Sequence, residues 1–364
     1  MIPVYRPSIG PREKQYVAEA MESTWISSRG AFLDRFEREF PAWVGASDGV
    51  AAANGTVALH LALAALGIGP GDEVIVPTLT YVASVNAIAY TGATPVFVDS
   101  EPRYWNLDPA AVESAITPRT RAIEVVHLYG HPAEMGPILE IAERHGIPVV
   151  EDAAEAHGAE YLGRRAGSIG TAGVFSFFGN KIITTGEGGM VVTSDPDLAD
   201  RARHLRGQGV SPTRTYWHDV LGFNYRMTNI AAAIGCAQLE RVDETIEAKR
   251  RVAAWYREEL DGLSGVDLQE EAPWAFAVYW MNCILVPAGI RDDLMAHLAA
   301  AGVETRPFFY PAHTLPMHAS GARFPTAEAL SASGINLPSH PTLTRDEVAQ
   351  VGGLVRGFLQ SHAG

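Results

Sequence analysis

From about residue 45 to residue 210, short apolar runs alternate with longer stretches of helical period. Glu73–Pro77, Thr94–Val98, Arg121–Val126, Ile147–Asp152, Val174–Phe178 and Met190–Thr193 read as buried strands. Thr80–Tyr90 and Met135–His145 read as helices between them. The alanine-rich run Val50–Leu66 reads as a buried helix, and the polar Asn54, Thr56 and His60 within it argue against a membrane span. Alternation of this kind predicts an α/β fold with a mainly parallel central sheet and helices on both faces. In such sheets ligands sit beyond the carboxyl ends of the strands.

A long helical pattern starts near Met227 and runs toward Leu260. Beyond it come a strand at Trp280–Val286, a helix at Arg291–Ala301 and a last helix at Arg345–Gln360. The expected division is a large domain over 1–245 and a smaller C-terminal α+β domain over 246–364. No repeat of fixed period and no low-complexity tract interrupts this plan.

Composition narrows the function classes. The 364 residues carry a net charge of −14, which argues against broad binding to nucleic acid or an anionic membrane. A small anionic ligand stays compatible, because a few arginines or a helix N-terminus suffice to hold one. Cys236 and Cys283 are far apart and lack a CxxC partner, which fits a reducing cytoplasm and offers no disulfide or zinc framework. Met1-Ile-Pro-Val-Tyr-Arg6 has no apolar signal-peptide core.

Candidate chemistry centres on Gly173-Val-Phe-Ser-Phe-Phe-Gly-Asn-Lys181-Ile-Ile-Thr-Thr-Gly-Glu-Gly-Gly189, where an aromatic-rich run delivers a lone lysine into a glycine-rich turn. Burying a lysine is costly unless its amine has a task. Desolvation lowers an amine's pKa and frees the lone pair that Schiff-base chemistry needs. The alternative is a lysine snorkelling at a strand end. Asn54-Gly55-Thr56 before a helix forms either a phosphate cradle or a plain N-cap. Glu151-Asp152-Ala-Ala-Glu155 closes a buried strand, so Asp152 needs a partner, which a pyridinium N–H or an arginine would supply. Glu155 reaches the same pocket only if the backbone turns there. Strand alternation places Ser176 and Phe178 on one face, with the Ser176 hydroxyl free for a phosphate oxygen or bonded to backbone. Tyr81 follows a strand and reads either as a ring over a flat cofactor or as a core aromatic. No metal site is expected, since Gly130 and Pro132 break the helix that would align His127 with His131. Gly67-Ile-Gly-Pro-Gly71 does not open a helix after a strand, so it is no dinucleotide fingerprint.

Taken in order, Asn54-Gly-Thr56, Glu151-Asp-Ala-Ala-Glu155 and Ser176-Phe-Phe-Gly-Asn-Lys181 resemble the sugar aminotransferase family, fold-type-I pyridoxal phosphate enzymes that aminate nucleotide-linked keto sugars. Thr24-Trp-Ile-Ser-Ser28, Lys181–Gly189 and Gly222-Phe-Asn-Tyr-Arg-Met-Thr-Asn229 are most similar to the branch that moves an amino group from L-glutamate to C4 of GDP-4-keto-6-deoxy-D-mannose. The resemblance implies a pyridoxal 5'-phosphate cofactor (the pyridoxamine form alternating with it). Lys181 would bind it covalently and shuttle a proton. Asp152 would hold the pyridine nitrogen, and Glu155 would bond the ring hydroxyl. Asn54, Gly55, Thr56 and Ser176 would cradle the phosphate, and Tyr81 would stack on the ring. Asn224 would reach the phosphate of a neighbouring subunit's cofactor, making a homodimer with shared sites. Trp25, Ser27 and Arg29 lie in a glycine-bounded segment suited to line the sugar pocket. Arg306-Pro-Phe-Phe-Tyr-Pro-Ala-His313 resembles a family loop over the active site, making Tyr310 and His313 candidate substrate contacts; a surface-loop histidine is the alternative for His313. A dTDP- or UDP-linked keto sugar or a keto-cyclitol is the alternative substrate. A non-catalytic cofactor-binding regulator is the alternative of another class, and it usually carries a DNA-binding module that is not visible here.

Overall fold

The computed structural model describes residues 1–319 and 321–362. Its centre is a seven-stranded sheet built from β1 (Asp48–Ala52), β2 (Glu73–Pro77), β3 (Thr94–Val98), β4 (Thr120–Val126), β5 (Val149–Asp152), β6 (Ala172–Ser176) and β7 (Gly189–Thr193). The strand order is β1-β7-β6-β5-β4-β2-β3. Pairing is parallel from β3 through β6, while β7 runs antiparallel to both of its neighbours. Every residue of β2, β5, β6 and β7 is buried, so these strands read as continuous apolar runs in the sequence.

Helices α1 (Pro11–Glu22), α2 (Ala31–Val44), α3 (Gly55–Ala65), α4 (Val82–Thr91), α5 (Pro109–Ala115), α6 (Met135–His145) and α7 (Pro196–Arg206) precede or connect these strands. One apolar layer packs α3 and α4 on Val74, Val76, Ala122, Val150 and Val174 of the sheet. The opposite face carries α5 and α6 over Ile75, Ile123, Val125 and Val149. Side chains of one strand thus point alternately into two separate cores.

In three places the structure departs from the pattern of the sequence. Val50–Leu66 is not one helix: Val50–Ala52 belongs to β1, paired with β7, and α3 starts only at Gly55. Asn54 separates the two as N-cap, its Oδ1 accepting the Val57 N–H at 3.0 Å. The long pattern from Met227 to Leu260 is two helices, α8 (Asn229–Leu239) and α9 (Val242–Leu260), which break at Glu240 and Arg241. Arg241 turns its side chain back to Glu13 and the Ser8 carbonyl, tying the break to α1. The strand expected at Val174–Phe178 ends at Ser176, opposite Gly189, so Phe178 lies outside it and is 48% exposed. Ser176 and Phe178 therefore do not share a strand face.

A four-stranded antiparallel sheet forms from β8 (Asp267–Leu268), β9 (Asn282–Leu285), β10 (Arg306–Pro307) and β11 (Gly334–Leu337) in the order β8-β9-β11-β10. With α9, α10 (Arg291–Ala300) and α12 (Arg345–His362) it encloses a core of its own, including Val252, Ile284, Leu298, Ile335 and Val355. We propose that this unit is the small domain, with the change near 245/246. Side chains packed in both directions join it to the rest. Ile2 at the N-terminus enters its core, while Phe308, Ala312, Ala327 and Leu330, the last two on α11 (Pro325–Ser333), pack into the cores of the large sheet. Among the described residues no helix is long and apolar enough to cross a membrane.

Candidate active site

The carboxyl ends of β5 and β6 bring the first two sequence motifs together. Asp152 closes β5 and is 6% exposed. Its Oδ2 accepts a 2.8 Å hydrogen bond from Ser84 Oγ on α4, and its Oδ1 accepts the Ala154 N–H at 3.1 Å. Among the described residues no arginine pairs with it, so the ion-pair alternative does not apply. Burial pushes the Asp152 carboxyl above its ordinary range, opposed by the Ser84 bond and the Lys181 charge. The chain then turns, with the Ala156 N–H donating to the Ala153 carbonyl at 2.9 Å. That turn carries Glu155 into the same pocket, as its assignment required.

Lys181 lies in a turn just beyond β6, its N–H donating to the Phe178 carbonyl at 2.9 Å. The residue is 9% exposed, so its amine does not snorkel into water. Nζ stands 3.6 Å from Glu155 Oε1 and 3.8 Å from the centroid of the Trp280 ring. Burial lowers the amine below its ordinary value, against the pull of Glu155 and Asp152. The same burial raises the Glu155 carboxyl, which also accepts the Tyr129 N–H at 2.8 Å through Oε2. Two more bonds fix the turn: Tyr5 Oη donates to the Lys181 carbonyl at 2.6 Å, and Trp280 Nε1 to the Asn180 carbonyl at 2.7 Å.

On the other side of β6 lies the start of α3. Asn54 spends its side-chain oxygen on the cap, leaving the N–H groups of Gly55 and Thr56 ahead of the first intrahelical donor, Ala58. Gly55 abuts Ser176 so closely that a Cβ there would lie 2.7 Å from the serine Cβ. A helix N-terminus, a hydroxyl and a glycine floor therefore meet two strand positions from the buried carboxylate. Those are donors of the kind that a phosphate would use.

Aromatic rings roof the pocket. Tyr81, 58% exposed at the N-cap of α4, lies 5.6 Å from Phe309, which lies 5.3 Å from Tyr129. Tyr129 in turn stacks at 6.3 Å on Trp280. Phe309 thus docks the Arg306–His313 loop onto the site and leaves Tyr310 exposed. His313 is buried, not a surface-loop residue: its Nδ1 is 2.7 Å from Thr78 Oγ1 and its Nε2 is 3.4 Å from Glu328. Trp25, Ser27 and Arg29 are exposed, and the first two give their carbonyls to Asn229. Asn224 is also exposed, its backbone bridged to Gly207. His127 and His131 serve the fold, His127 bonding Glu151 at 2.9 Å and His131 the Ala272 N–H at 3.1 Å.

Four neighbours of the site are not apparent in the sequence motifs. Ser84 had a local signal, one helical turn after Tyr81. Tyr5, Tyr129 and Trp280 had none, because each arrives from a different segment of the chain.

A pyridoxal phosphate fits this donor set. It would need a lysine amine of lowered pKa, a carboxylate for the pyridinium, N–H donors for the phosphate and an aromatic ring over its face, and Lys181, Asp152, the Gly55–Thr56 helix start and Tyr81 have the chemistry for those places. Similarity to known proteins agrees. Over 352 residues the chain is 52% identical to a GDP-perosamine synthase of Escherichia coli O157:H7, covering 96% of each chain. It is 45% identical over 365 residues to one of Vibrio cholerae, covering 99% of each. The crystal structure of DesV from S. venezuelae superposes with a TM-score of 0.91 at 41% identity, covering 95% of this chain and 94% of that one. Residues 7–356 match the DegT/DnrJ/EryC1/StrS aminotransferase family; the chain belongs to that family and is a pyridoxal 5'-phosphate-dependent transaminase.

Proposed function

We propose that this transaminase moves an amino group from L-glutamate to C4 of GDP-4-keto-6-deoxy-D-mannose, giving GDP-perosamine. The observation that carries this reading is its 52% identity, over 96% of the chain, to GDP-perosamine synthases of Escherichia coli O157:H7 and Caulobacter vibrioides. Identity to a transaminase for a dTDP-linked amino sugar is lower, 43% over 337 residues.

In this reading Lys181 would hold the cofactor covalently, and its Nζ would serve as the acid and base of the transfer. The cofactor, when bound, supplies a ring that spreads the negative charge left on the carbon that loses its proton. Asp152 keeps the ring nitrogen protonated, and Ser84 holds Asp152 for that task. Glu155, 3.6 Å from Nζ, bonds the ring hydroxyl and stabilises the ammonium when Lys181 takes up its proton. Gly55 and Thr56 N–H groups and the Ser176 hydroxyl bind the phosphate, with Asn54 setting the helix end they use. Tyr81 covers the ring. Trp25, Ser27, Arg29 and Tyr310 face the nucleotide sugar, and His313 braces the loop that carries Tyr310.

Assembly as a homodimer completes the reading, with Asn224 reaching the cofactor phosphate of the second copy. Support comes from the hairpin just before it, where Tyr216 is 93% and Leu221 91% exposed, surface that a second copy would cover. A cytoplasmic setting is supported by two buried thiols that form no disulfide.

The deciding experiment supplies purified enzyme with L-glutamate and GDP-4-keto-6-deoxy-D-mannose and separates the products by chromatography. GDP-perosamine and 2-oxoglutarate in equal amounts are expected. Turnover of a dTDP- or UDP-linked keto sugar, with none of the GDP sugar, would overturn the substrate.

A further inference from the structure

Asn229 opens α8 and is 1% exposed. It makes four hydrogen bonds to a single stretch of chain some two hundred residues earlier. Its N–H donates to the Ser27 carbonyl at 2.5 Å, and its Nδ2 donates to the Trp25 carbonyl at 2.7 Å. Its Oδ1 accepts from the N–H groups of Phe32 at 3.1 Å and Leu33 at 3.0 Å. Every hydrogen-bonding group of the side chain is thus used on both ends of the loop that holds Trp25, Ser27 and Arg29. Gly30 closes the arrangement from below. Its φ is +148°, and a Cβ there would collide with the Asn229 amide.

The pin stands on a rigid base next to the lysine turn. Met227, two residues earlier, packs toward Gly188 of that turn, and its neighbour Thr228 caps α8 through Ala231. Phe36 of α2, which follows the loop, packs at 5.0 Å on Phe177, four residues before Lys181. The loop itself stays exposed: Trp25 is 57% and Ile26 45% exposed, yet its backbone is held on both sides. An exposed loop whose Trp25 and Ser27 carbonyls are held by one buried residue has its backbone pre-organised.

We propose that Asn229, with Gly30, is the positioning residue for the keto-sugar subsite, fixing the Trp25–Arg29 wall while taking no part in the amine chemistry. This rests on the reading that the segment faces the nucleotide sugar. The amino donor is small and reacts at Lys181, so it has no need of that wall. The two half-reactions should therefore separate.

The test uses the holoenzyme in wild-type form and as Asn229→Asp and Gly30→Ala. Asn229→Asp keeps the acceptor for Phe32 and Leu33 but loses the donor to Trp25; Gly30→Ala displaces the amide from the other side. Each half-reaction is followed by the cofactor's absorbance, first with L-glutamate and then with GDP-4-keto-6-deoxy-D-mannose. Hydrogen exchange of a peptide covering 25–33 is measured alongside. In both variants the glutamate half-reaction should stay within about twofold of wild type, while kcat/KM for the sugar falls roughly tenfold or more, chiefly through KM. Exchange in 25–33 should quicken. Equal loss in both half-reactions, or an unchanged sugar half-reaction despite faster exchange, would overturn the proposal. Wild-type protein that ignores the GDP sugar would instead sink the substrate reading. The exchange arm would then still judge the pin: retained protection overturns it, and lost protection supports it.

Discussion

Ser84 Oγ donates a 2.8 Å hydrogen bond to Asp152 Oδ2, and its own acceptor side faces Thr80 Oγ1 at 2.8 Å. A helix and a strand far apart in sequence thus share one buried contact at the carboxylate proposed to hold the ring nitrogen. Thr80, Tyr81 and Ser84 form a single turn, with the Ser84 and Thr80 hydroxyls both close to the Tyr81 carbonyl.

Ser84→Ala removes the only side-chain donor to Asp152 among the described residues. The carboxyl already lies above its ordinary range through burial, and losing this bond raises it further. Turnover near neutral pH is expected to fall on the order of tenfold, the scale of one hydrogen bond to a charged group. The acid limb of the pH–rate profile should move to higher pH. A profile superimposable on wild type would remove Ser84 from this role.

Asp152→Asn and Lys181→Ala separate electronics from anchoring. An asparagine cannot hold the ring proton, and losing one buried charge partner costs about 3–5 kcal/mol. Turnover of Asp152→Asn should drop by orders of magnitude; wild-type rates would make Asp152 merely structural. Lys181→Ala should fold, by circular dichroism, yet show neither covalent cofactor nor turnover. Retained turnover would contradict the assignment.

Glu124 on β4 is fully buried, and neither carboxyl oxygen has a hydrogen-bond partner. Burial, with Asp152 nearby, pushes this carboxyl well above its ordinary value near 4.5. Folding therefore takes up a proton above that pH, and stability falls as pH rises toward the folded-state value. Glu124→Leu is expected to stabilise by about 1–3 kcal/mol, the scale of an unsatisfied buried polar group. The gain should be larger at pH 8 than at pH 5 in urea titrations. A gain independent of pH, or a loss, would show that Glu124 has a partner in solution.

Lys249 on α9 is 1% exposed, and its Nζ donates to the Ser339 carbonyl at 2.5 Å. Burial lowers its amine from 10.5 to about 7. The unfolded chain then binds more protons between those values, so stability rises with pH across that window and the burden is full below it. Lys249→Met should stabilise most at pH 6, where each unit of displacement is worth about 1.4 kcal/mol, and least near pH 10. Equal gains at the two ends would show that the lysine titrates normally.

Local pattern carried the plan of this chain a long way. Apolar runs bounded by Gly, Pro and Asn marked the strands of the parallel sheet, because residues buried on both faces leave no alternation to hide them. Lys181, Asp152, Glu155 and the Asn54–Thr56 turn stood out because each sets a costly or strained group beside an apolar run, and their order along the chain carries the family resemblance. Strand ends were less visible. Val50–Ala52 looks helical beside α3 until β7 pairs with it, and the break at Arg241 depends on Glu13 in α1. The rest of the site comes from convergence. Tyr5, Tyr129 and Trp280 sit in segments with no shared period, and each acquires its meaning only from what strand order and helix packing set against it. A one-dimensional pattern records which face of an element is buried, not which distant partner buries it.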